Sequence, residues 1–342
     1  MKDVVVGDLS CGPGDLQLGS LLGGFDRDGS EVRVPTLVIN GTEPGPTVYL
    51  GALVHGNELA GIEVIRRVVR ERVDPATLRG AIVAVPIQNP LAYRTSTYHS
   101  LEDGLNANRI FPGDPHETLT NRIVAAITKH ALDQCSHVID LHCNARDSVL
   151  FNFTRWEDSE TGRANVAMSN AFGFTTVLSE PKRQGFGFEE RLVGLLADTA
   201  LADKKPCITV ELTPANNWEE AAIVGGVTGT LNVLRHLGMV SGQIERQNPS
   251  LPIIPHILGP QLRVTPDRGG LVHPVVPVGT WVEDNQVLVV IRDPWGDVIE
   301  EVRSPAAGYI LAYPHHGNHA AASGDIVVFV APLSKVGSEV AN

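Results

Sequence analysis

The chain has 342 residues, enough for one large domain or for two domains with separate cores. Its formal net charge of −12 argues against a nucleic-acid partner and against binding to anionic membranes, because both require a basic surface. The first residues contain no long apolar segment, and no stretch approaches the roughly 20 apolar residues of a membrane span. The four cysteines are scattered and form no C-x-x-C pair. We therefore expect a cytoplasmic protein with reduced thiols and no secretory signal.

Predicted strands and helices alternate over about 240 residues, which indicates an α/β domain with a mostly parallel or mixed sheet. Residues 1–30 are rich in Gly and Asp and predict no clear element. Residues 89–112 show little periodicity and many polar side chains, which predicts a long functional loop. The strands are predicted at 32–40, 47–54, 80–86, 138–141, 175–178 and 207–212. The helices are predicted at 61–73, 117–132, 159–172, 189–202 and 219–237.

The composition changes in the last third of the chain. Residues 247–260 contain four prolines and no helical pattern, as expected of a linker or a crossing segment. Only short strand-like runs separated by Gly and Pro turns follow, which predicts a small all-β module. We therefore predict an α/β domain over residues 1–245, and a linker with a β module over residues 246–342.

The strand predicted at 47–54 ends in His55-Gly56-Asn57-Glu58, and a helix follows at once. Open α/β sheets bind their ligands at the carboxyl ends of strands. His55 and Glu58 could there supply half of a Zn²⁺ site. In the alternative interpretation, His55 is a capped loop histidine and Glu58 is a first-turn carboxylate favoured by the helix dipole.

His142 is the best candidate for a third ligand, because it ends the strand predicted at 138–141. Two His and one Glu leave an open position for water, as in catalytic zinc sites, and Zn²⁺ lowers the pKa of such a water to about 7. Asp140 could orient a ligand through a hydrogen bond. Alternatively, His142 is a core histidine bonded to the backbone.

Metal-assisted hydrolysis also needs a general base that is not a ligand. Glu211 lies in the apolar strand predicted at 207–212, where a carboxylate is costly to bury without a partner or a raised pKa. We take Glu211 as the candidate base, with a solvent-facing side chain at the strand end as the alternative.

The predicted loop at 89–112 supplies cationic and neutral donors. Arg109, which follows Asn108, is suited to bidentate recognition of a carboxylate. Arg94, Tyr98 and His99 could polarise a carbonyl or stabilise an oxyanion. Ordinary solvated surface positions are the alternative for each of them.

Four motifs occur in order: HGNE, NPLAYRTSTYHSLEDGLNANRIFPG, DLHCN and VELTP. Together they resemble the succinylglutamate desuccinylase/aspartoacylase family, a branch of the zinc carboxypeptidase-like fold. The resemblance covers Val32 to about Leu237 and implies a central mixed sheet flanked by helices. It also implies one Zn²⁺ per chain, with His55, Glu58 and His142 as its ligands.

By the same resemblance, Glu211 activates the water and protonates the leaving amine, while Asn108 and Arg109 bind the substrate carboxylate. The chain departs from the family at Tyr98, where an Arg usually polarises the scissile carbonyl. Either Arg94 reaches the site from its own position, or Tyr98 takes part of the role as a neutral donor, which stabilises an oxyanion less than a cation does.

The carboxyl-terminal module resembles a biotinyl/lipoyl-type half-barrel. Carrier domains place a modified Lys at a hairpin where this chain has Asp293-Pro294-Trp295-Gly296, so a scaffold without a swinging arm is expected. In aspartoacylase-like enzymes a comparable module shields the channel to the zinc. His315, His316 and His319 could be a second metal cluster, but loop positions near the active-site mouth or a subunit contact are the favoured interpretation.

We expect a zinc amidohydrolase that removes an acyl group from the nitrogen of an amino acid or related small carboxylate. A metallocarboxypeptidase acting on short peptides, or a non-catalytic binding protein with the same fold, is the alternative. A homo-oligomer is expected from general frequencies and family habit.

Overall fold

The computed structural model describes residues 2–144, 147–181, 183–184, 191–192, 194–212, 214–313 and 319–336. Its helices are α1 Ala60–Arg67, α2 Pro90–Thr95, α3 Leu119–His130, α4 Glu160–Phe172, α5 Leu196–Ala202 and α6 Glu220–His236. Its strands up to residue 258 are β1 Val4–Val6, β2 Leu9–Cys11, β3 Asp15–Phe25, β4 Glu31–Asn40, β5 Glu43–Ala52, β6 Arg79–Val85, β7 His137–Cys143, β8 Asp147–Ser148, β9 Phe151–Arg155, β10 Thr175–Ser179, β11 Arg183–Gln184, β12 Arg191–Leu192, β13 Cys207–Leu212 and β14 Ile257–Leu258. A π-helical turn, Val68–Arg72, extends α1, and the two short 3-10 helices are Ala107–Arg109 and Leu132–Gln134.

A nine-stranded mixed sheet forms the centre of the molecule, in the order β14-β10-β9-β13-β7-β5-β6-β4-β3. Strands β13, β7, β5 and β6 are adjacent and parallel, whereas β9 pairs antiparallel with β13, and β4 pairs antiparallel with β6. Helices α1, α4 and α6 cover one face, and α3 and α5 cover the other. The predicted α/β domain with a mixed sheet is confirmed.

The buried second half of strand β5 shows why a central strand carries apolar residues on both of its faces. Leu50 packs in the core beneath α1, α4 and α6, whereas its neighbour Tyr49 packs in the core beneath α3 and α5. Successive side chains of a strand point to opposite faces, so a strand covered on both sides needs apolar residues at every position. Because four such strands are parallel, their carboxyl ends meet at one edge of the sheet.

Two segments contain more regular structure than predicted. Within residues 1–30, β3 pairs antiparallel with β4 and forms the edge of the sheet. In the predicted loop at 89–112, helix α2 begins where the Asn89 side chain accepts a hydrogen bond from the backbone N–H of Ala92, with Pro90 in the first turn. Asn followed by Pro is a helix start signal, so this helix could have been predicted.

The helix predicted at 189–202 is wrong at its amino end. Residues 191–192 form β12, which pairs with β11, and α5 begins only at Leu196. Gly194 has a φ of 108°, outside the helical region, and forms a β-bridge with Phe111. This long-range bridge holds the chain extended before the helix can start.

The carboxyl-terminal strands are β15 Leu262–Val264, β16 Gly270–Pro274, β17 Trp281–Val282, β18 Val287–Arg292, β19 Val298–Arg303, β20 Gly308–Tyr313, β21 Ala320–Ala321 and β22 Val328–Ala331. They form two antiparallel sheets, so the predicted β structure of this region is present. Strand β8 pairs with β20, which attaches these sheets to the segment directly behind β7. Strand β14 lies in the predicted linker but pairs with β10 of the central sheet. The helices within the described ranges are too short or too polar to span a membrane.

Candidate active site

A tight turn at the end of β5 positions His55 and Glu58. Leu53, just before it, has a φ of 54°, which is unusual for a residue other than Gly. Gly56 packs directly on helix α2, since a Cβ at this position would lie 2.0 Å from the carbonyl carbon of Ala92. The HGNE motif therefore contains a Gly because the turn must approach the backbone of α2 closely.

His55, Glu58 and His142 form one buried cluster at the carboxyl edge of the sheet. The Glu58 carboxylate lies 2.7 Å from Nδ1 of His55 through Oε1 and 2.9 Å from Nδ1 of His142 through Oε2. The candidate ligand atoms of the three residues all lie within 4.8 Å of one another. Two imidazole nitrogens and one carboxylate match the protein ligands of a catalytic zinc site, so the cluster fits a metal ion.

The opposite ring nitrogen of each histidine faces a side-chain oxygen. Nε2 of His55 lies 3.2 Å from Oδ1 of Asn106, and Nε2 of His142 lies 2.9 Å from Oδ2 of Asp140. With Nε2–H donated to these acceptors, both rings present Nδ1 to Glu58. Metal-binding histidines in proteins are commonly held in this way. Asp140 lies within hydrogen-bonding distance of His142, the candidate ligand that it was predicted to orient, and Asn106 was not among the predicted residues.

The electrostatics of the cluster favour a cation. Burial alone would raise the pKa of Glu58, but the charges of His55 and His142 lower it to about 2. Burial alone would lower the pKa of His142, but Asp140 and Glu58 raise it well above its ordinary value. The backbone N–H of Cys143 also donates to Glu58, at 3.2 Å. A divalent cation bound here would replace the proton on the imidazole nitrogen that faces Glu58.

Glu211 lies beside the cluster because strands β13 and β7 are in register, with Glu211 opposite His142. Its side chain is buried, and within the described part of the chain its carboxylate accepts no hydrogen bond. Burial raises its pKa to about 8. The charge of His142 opposes this increase, and the carboxylates of Glu58 and Asp140 add to it. A carboxyl group with this pKa can exchange a proton near neutral pH.

The structure separates the two candidates for the polarising donor. The Tyr98 ring stacks on the His55 ring, with centroids 3.8 Å apart and an angle of 24° between the planes. The guanidinium of Arg94 is half exposed and lies 3.4 Å from Asp26, in an ion pair at the surface. Tyr98 is therefore the candidate in contact with the metal cluster, and the hypothesis that Arg94 reaches the cluster receives no support.

Asn108 and Arg109 belong to the short 3-10 helix Ala107–Arg109, and the side chain of Asn108 lies beside the cluster. Oδ1 of Asn108 accepts a hydrogen bond from the backbone N–H of Leu196 at 3.0 Å, which turns its Nδ2 towards Nε2 of His142, 3.4 Å away. Arg109 is exposed, and one of its guanidinium nitrogens donates to the carbonyl of Asn108 at 2.6 Å. Within the described residues its other guanidinium nitrogens form no hydrogen bond or ion pair.

The histidines of the carboxyl-terminal loop are not part of this cluster as far as the chain is described. His315 and His316 lie outside the described residues. His319 is described, and its carbonyl accepts a hydrogen bond from Val272 of β16 at 2.6 Å, within the carboxyl-terminal sheets.

Residues 44–237 match the family model of the succinylglutamate desuccinylase/aspartoacylase catalytic domain. This match covers more than half of the chain, which therefore belongs to the succinylglutamate desuccinylase/aspartoacylase family. One relative is the N-alpha-acetyl-L-2,4-diaminobutyric acid deacetylase of Halomonas elongata, 27% identical over 269 residues, which are 77% of this chain and 75% of the relative.

Solved structures of the same family share the fold. The product-bound ectoine utilization protein EutE (DoeB) of Ruegeria pomeroyi has a TM-score of 0.83 and 22% identity, over 97% of this chain and 100% of that one. A succinylglutamate desuccinylase/aspartoacylase of Rhodobacter sphaeroides has the same TM-score and identity, over 97% and 99% of the two chains. The likeness extends over nearly the whole length, including the carboxyl-terminal sheets.

Proposed function

We propose that the protein is a zinc-dependent amidohydrolase that removes the acyl group from an N-acyl amino acid or a related small carboxylate. The observation that carries the proposal is the buried His55, Glu58 and His142 cluster with Glu211 in register beside it. The proposal is also supported by the relative from Halomonas elongata, whose name is that of a deacetylase acting on an N-acetylated amino acid.

His55, Glu58 and His142 would hold one zinc ion per chain through the two Nδ1 atoms and the carboxylate. When bound in such a site, zinc polarises a carbonyl and increases the acidity of water. Asn106 and Asp140 keep the two imidazole rings oriented by accepting their Nε2 protons.

Glu211 is the general base and acid in this proposal. Its carboxylate takes a proton from the attacking water and delivers it to the nitrogen of the leaving amine when the C–N bond breaks. Without a cation the pKa of Glu211 is raised to about 8, which supports this role. A bound cation would lower this pKa towards 7.

Tyr98 and Arg109 contact the substrate in this proposal. The Tyr98 hydroxyl donates to the carbonyl oxygen of the amide as negative charge develops there, which its stacking on His55 supports. Arg109 forms a charged hydrogen bond with the substrate carboxylate and so positions the amide, while Asn108 ties the same turn to the first residue of α5.

We further propose that the carboxyl-terminal antiparallel sheets are a half-barrel of the biotinyl/lipoyl type, which serves as a scaffold beside the active site. Two observations support this. The tip of the β18–β19 hairpin, Asp293-Pro294-Trp295-Gly296, has no Lys to carry a cofactor. Strand β20 pairs with β8, close behind His142 along the chain. We also propose that the catalytic domain ends at residue 245 and that the linker to the half-barrel begins at residue 246.

The test combines metal analysis with activity on a panel of N-acyl amino acids. The wild type should contain one zinc per chain and hydrolyse at least one member of the panel. The Glu211→Gln variant should keep the zinc and lose about 100- to 10,000-fold in kcat. Glu117→Gln is a control, because Glu117 is exposed on the approach to α3 and undergoes the same chemical change.

Undiminished hydrolysis in the Glu211→Gln variant would exclude the mechanism. Cleavage of hippuryl or short peptide substrates without hydrolysis of the panel would favour a metallocarboxypeptidase instead. Binding of N-acyl amino acids without any turnover would favour a binding protein.

A further inference from the structure

A chain of buried hydrogen bonds runs from His142 into the middle of the sheet. Nε2 of His142 lies 2.9 Å from Oδ2 of Asp140. The other carboxylate oxygen of Asp140 accepts a hydrogen bond from Nε2 of Gln88 at 2.8 Å. The carbonyl oxygen of the Gln88 amide in turn accepts from the Tyr49 hydroxyl at 3.0 Å. All four side chains are at most 3% exposed.

The chain of hydrogen bonds crosses a strand. Gln88 follows β6 and Asp140 lies on β7, and β5 runs between these two strands in the sheet. The residue of β5 in register with Asp140 is Gly51. A Cβ at Gly51 would lie 2.7 Å from Nε2 of Gln88 and 2.7 Å from Cε1 of Tyr49. The absence of a side chain at Gly51 therefore leaves the space through which the amide reaches Asp140.

Asp140 and Gln88 each have one defined partner on either side. The hydroxyl of Tyr49 stays a donor because burial raises its pKa well above the ordinary value. Gln88 is also anchored through its backbone N–H, which donates to the carbonyl of Ala52 at 2.9 Å. A carboxylate held at one oxygen by Gln88 cannot rotate freely, so its other oxygen stays directed at His142.

We infer that Gln88 and Tyr49 are positioning residues, which hold Asp140 so that His142 presents Nδ1 to the metal. Gly51 provides the space that this arrangement needs. The inference rests on the proposed function, because it takes His142 to be a zinc ligand. The effect of Gln88 on the metal passes through two hydrogen bonds, so neither Gln88 nor Tyr49 contacts the substrate or the metal.

If Gln88 only stabilised the fold, its replacement would have the same effect on zinc binding as replacement of any comparable buried amide. Asn165 is such an amide and provides the matched control. Its amide is fully buried and forms two hydrogen bonds, donating to the carbonyl of Arg155 at 2.8 Å and accepting from the backbone N–H of Cys207 at 2.7 Å. Cys207 begins β13, so this amide lies at the opposite edge of the sheet from the cluster. Asn165→Leu and Gln88→Met each remove two buried hydrogen bonds at nearly constant volume.

The first measurement is the zinc dissociation constant, determined by competition with a chromophoric chelator. Gln88→Met should weaken zinc binding about 10- to 100-fold, as expected when the group that orients a metal-binding histidine loses its support. Tyr49→Phe removes only the outer hydrogen bond and should weaken it less, by about two- to tenfold. Asn165→Leu should lower the unfolding midpoint as Gln88→Met does, but leave the zinc affinity within about twofold. Equal zinc affinities in Gln88→Met and Asn165→Leu would overturn the inference.

The second measurement uses the metal-free protein, so that it is independent of the zinc assignment. The Nε2 proton of His142 is followed by nitrogen-15 NMR, and its exchange with water should be about tenfold faster in Gln88→Met than in the wild type or Asn165→Leu. An unchanged exchange rate would overturn the positioning role. If the wild type binds no zinc, the proposed function fails, and this measurement still decides whether Gln88 holds Asp140 against His142. If Gln88→Met does not fold, Tyr49→Phe is measured in its place. It must then show both weaker zinc binding and faster exchange of the His142 Nε2 proton than the wild type.

Discussion

Replacing the carboxylate of Glu211 should make the metal-free protein more stable at neutral pH while it removes activity. Glu211 has an ordinary pKa of 4.5 in an unfolded chain and a pKa of about 8 in the folded protein. The folded state therefore prefers the protonated carboxyl group. Its contribution to stability is fully present below pH 4.5 and is lost as the pH rises through 8.

The magnitude follows from the same two pKa values. At pH 7 the unfolded chain has released this proton and the folded protein still binds it, which costs the folded state about 3 kcal/mol relative to low pH. Glutamine has nearly the same shape and no charge, so Glu211→Gln avoids this cost. The variant should be about 2 to 3 kcal/mol more stable than the wild type at pH 7, and the two should be equally stable near pH 4.5.

The assay is urea denaturation of both proteins between pH 4.5 and 9 in the presence of a chelator. Glu117→Gln serves as the control and should follow the wild type at every pH. Saturating zinc should shrink the difference, because a nearby cation favours the ionised carboxylate of Glu211. A Glu211→Gln variant that is no more stable than the wild type at pH 7 would refute the assignment of a buried carboxyl group with a raised pKa.

Three other substitutions test the geometry of the site. Tyr98→Phe should lower kcat about 10- to 100-fold, because the substrate carbonyl loses a hydrogen-bond donor. Arg94→Ala removes only a surface ion pair and should change kcat by no more than about twofold, so similar losses of kcat in both variants would contradict the choice of Tyr98. Gly56→Ala should destabilise the protein by about 3 kcal/mol or more in urea denaturation, because its Cβ would lie 2.0 Å from the backbone of Ala92; an unchanged midpoint would show that the turn does not need this approach. Arg109→Gln should raise KM about 10- to 100-fold for substrates with a free carboxylate and leave KM unchanged for the corresponding amides; equal effects on both would argue against carboxylate recognition.

The placement of the cluster residues at strand ends could be predicted from the sequence because it depends on local patterns. Apolar runs alternating with helical patterns indicate parallel strands, and parallel strands bring their carboxyl ends to one edge of the sheet. His55, Glu58, His142 and Glu211 all follow or end such runs. Periodicity therefore predicts that they lie at strand ends, and they meet because β13, β7 and β5 are neighbours in the sheet.

The supporting hydrogen bonds could not be predicted in this way. Asn106 is 51 residues from His55, and Gln88 is 52 residues from Asp140. Whether these pairs meet depends on strand order, on register and on the space that Gly51 leaves in β5. A buried amide and an exposed amide look alike in the sequence, since neither has a periodicity of its own.

The choice between Arg94 and Tyr98 shows the same division. Both residues follow Asn89-Pro90, a helix start signal that the predicted loop at 89–112 did not take into account. The directions of the two side chains depend on tertiary contacts: Arg94 is directed to Asp26 at the surface, whereas Tyr98, beyond the end of the helix, stacks on His55. Local patterns specify which elements form and where they end. The direction of a side chain beyond those ends depends on contacts between segments that are distant in the sequence, and these exist only once the chain is folded.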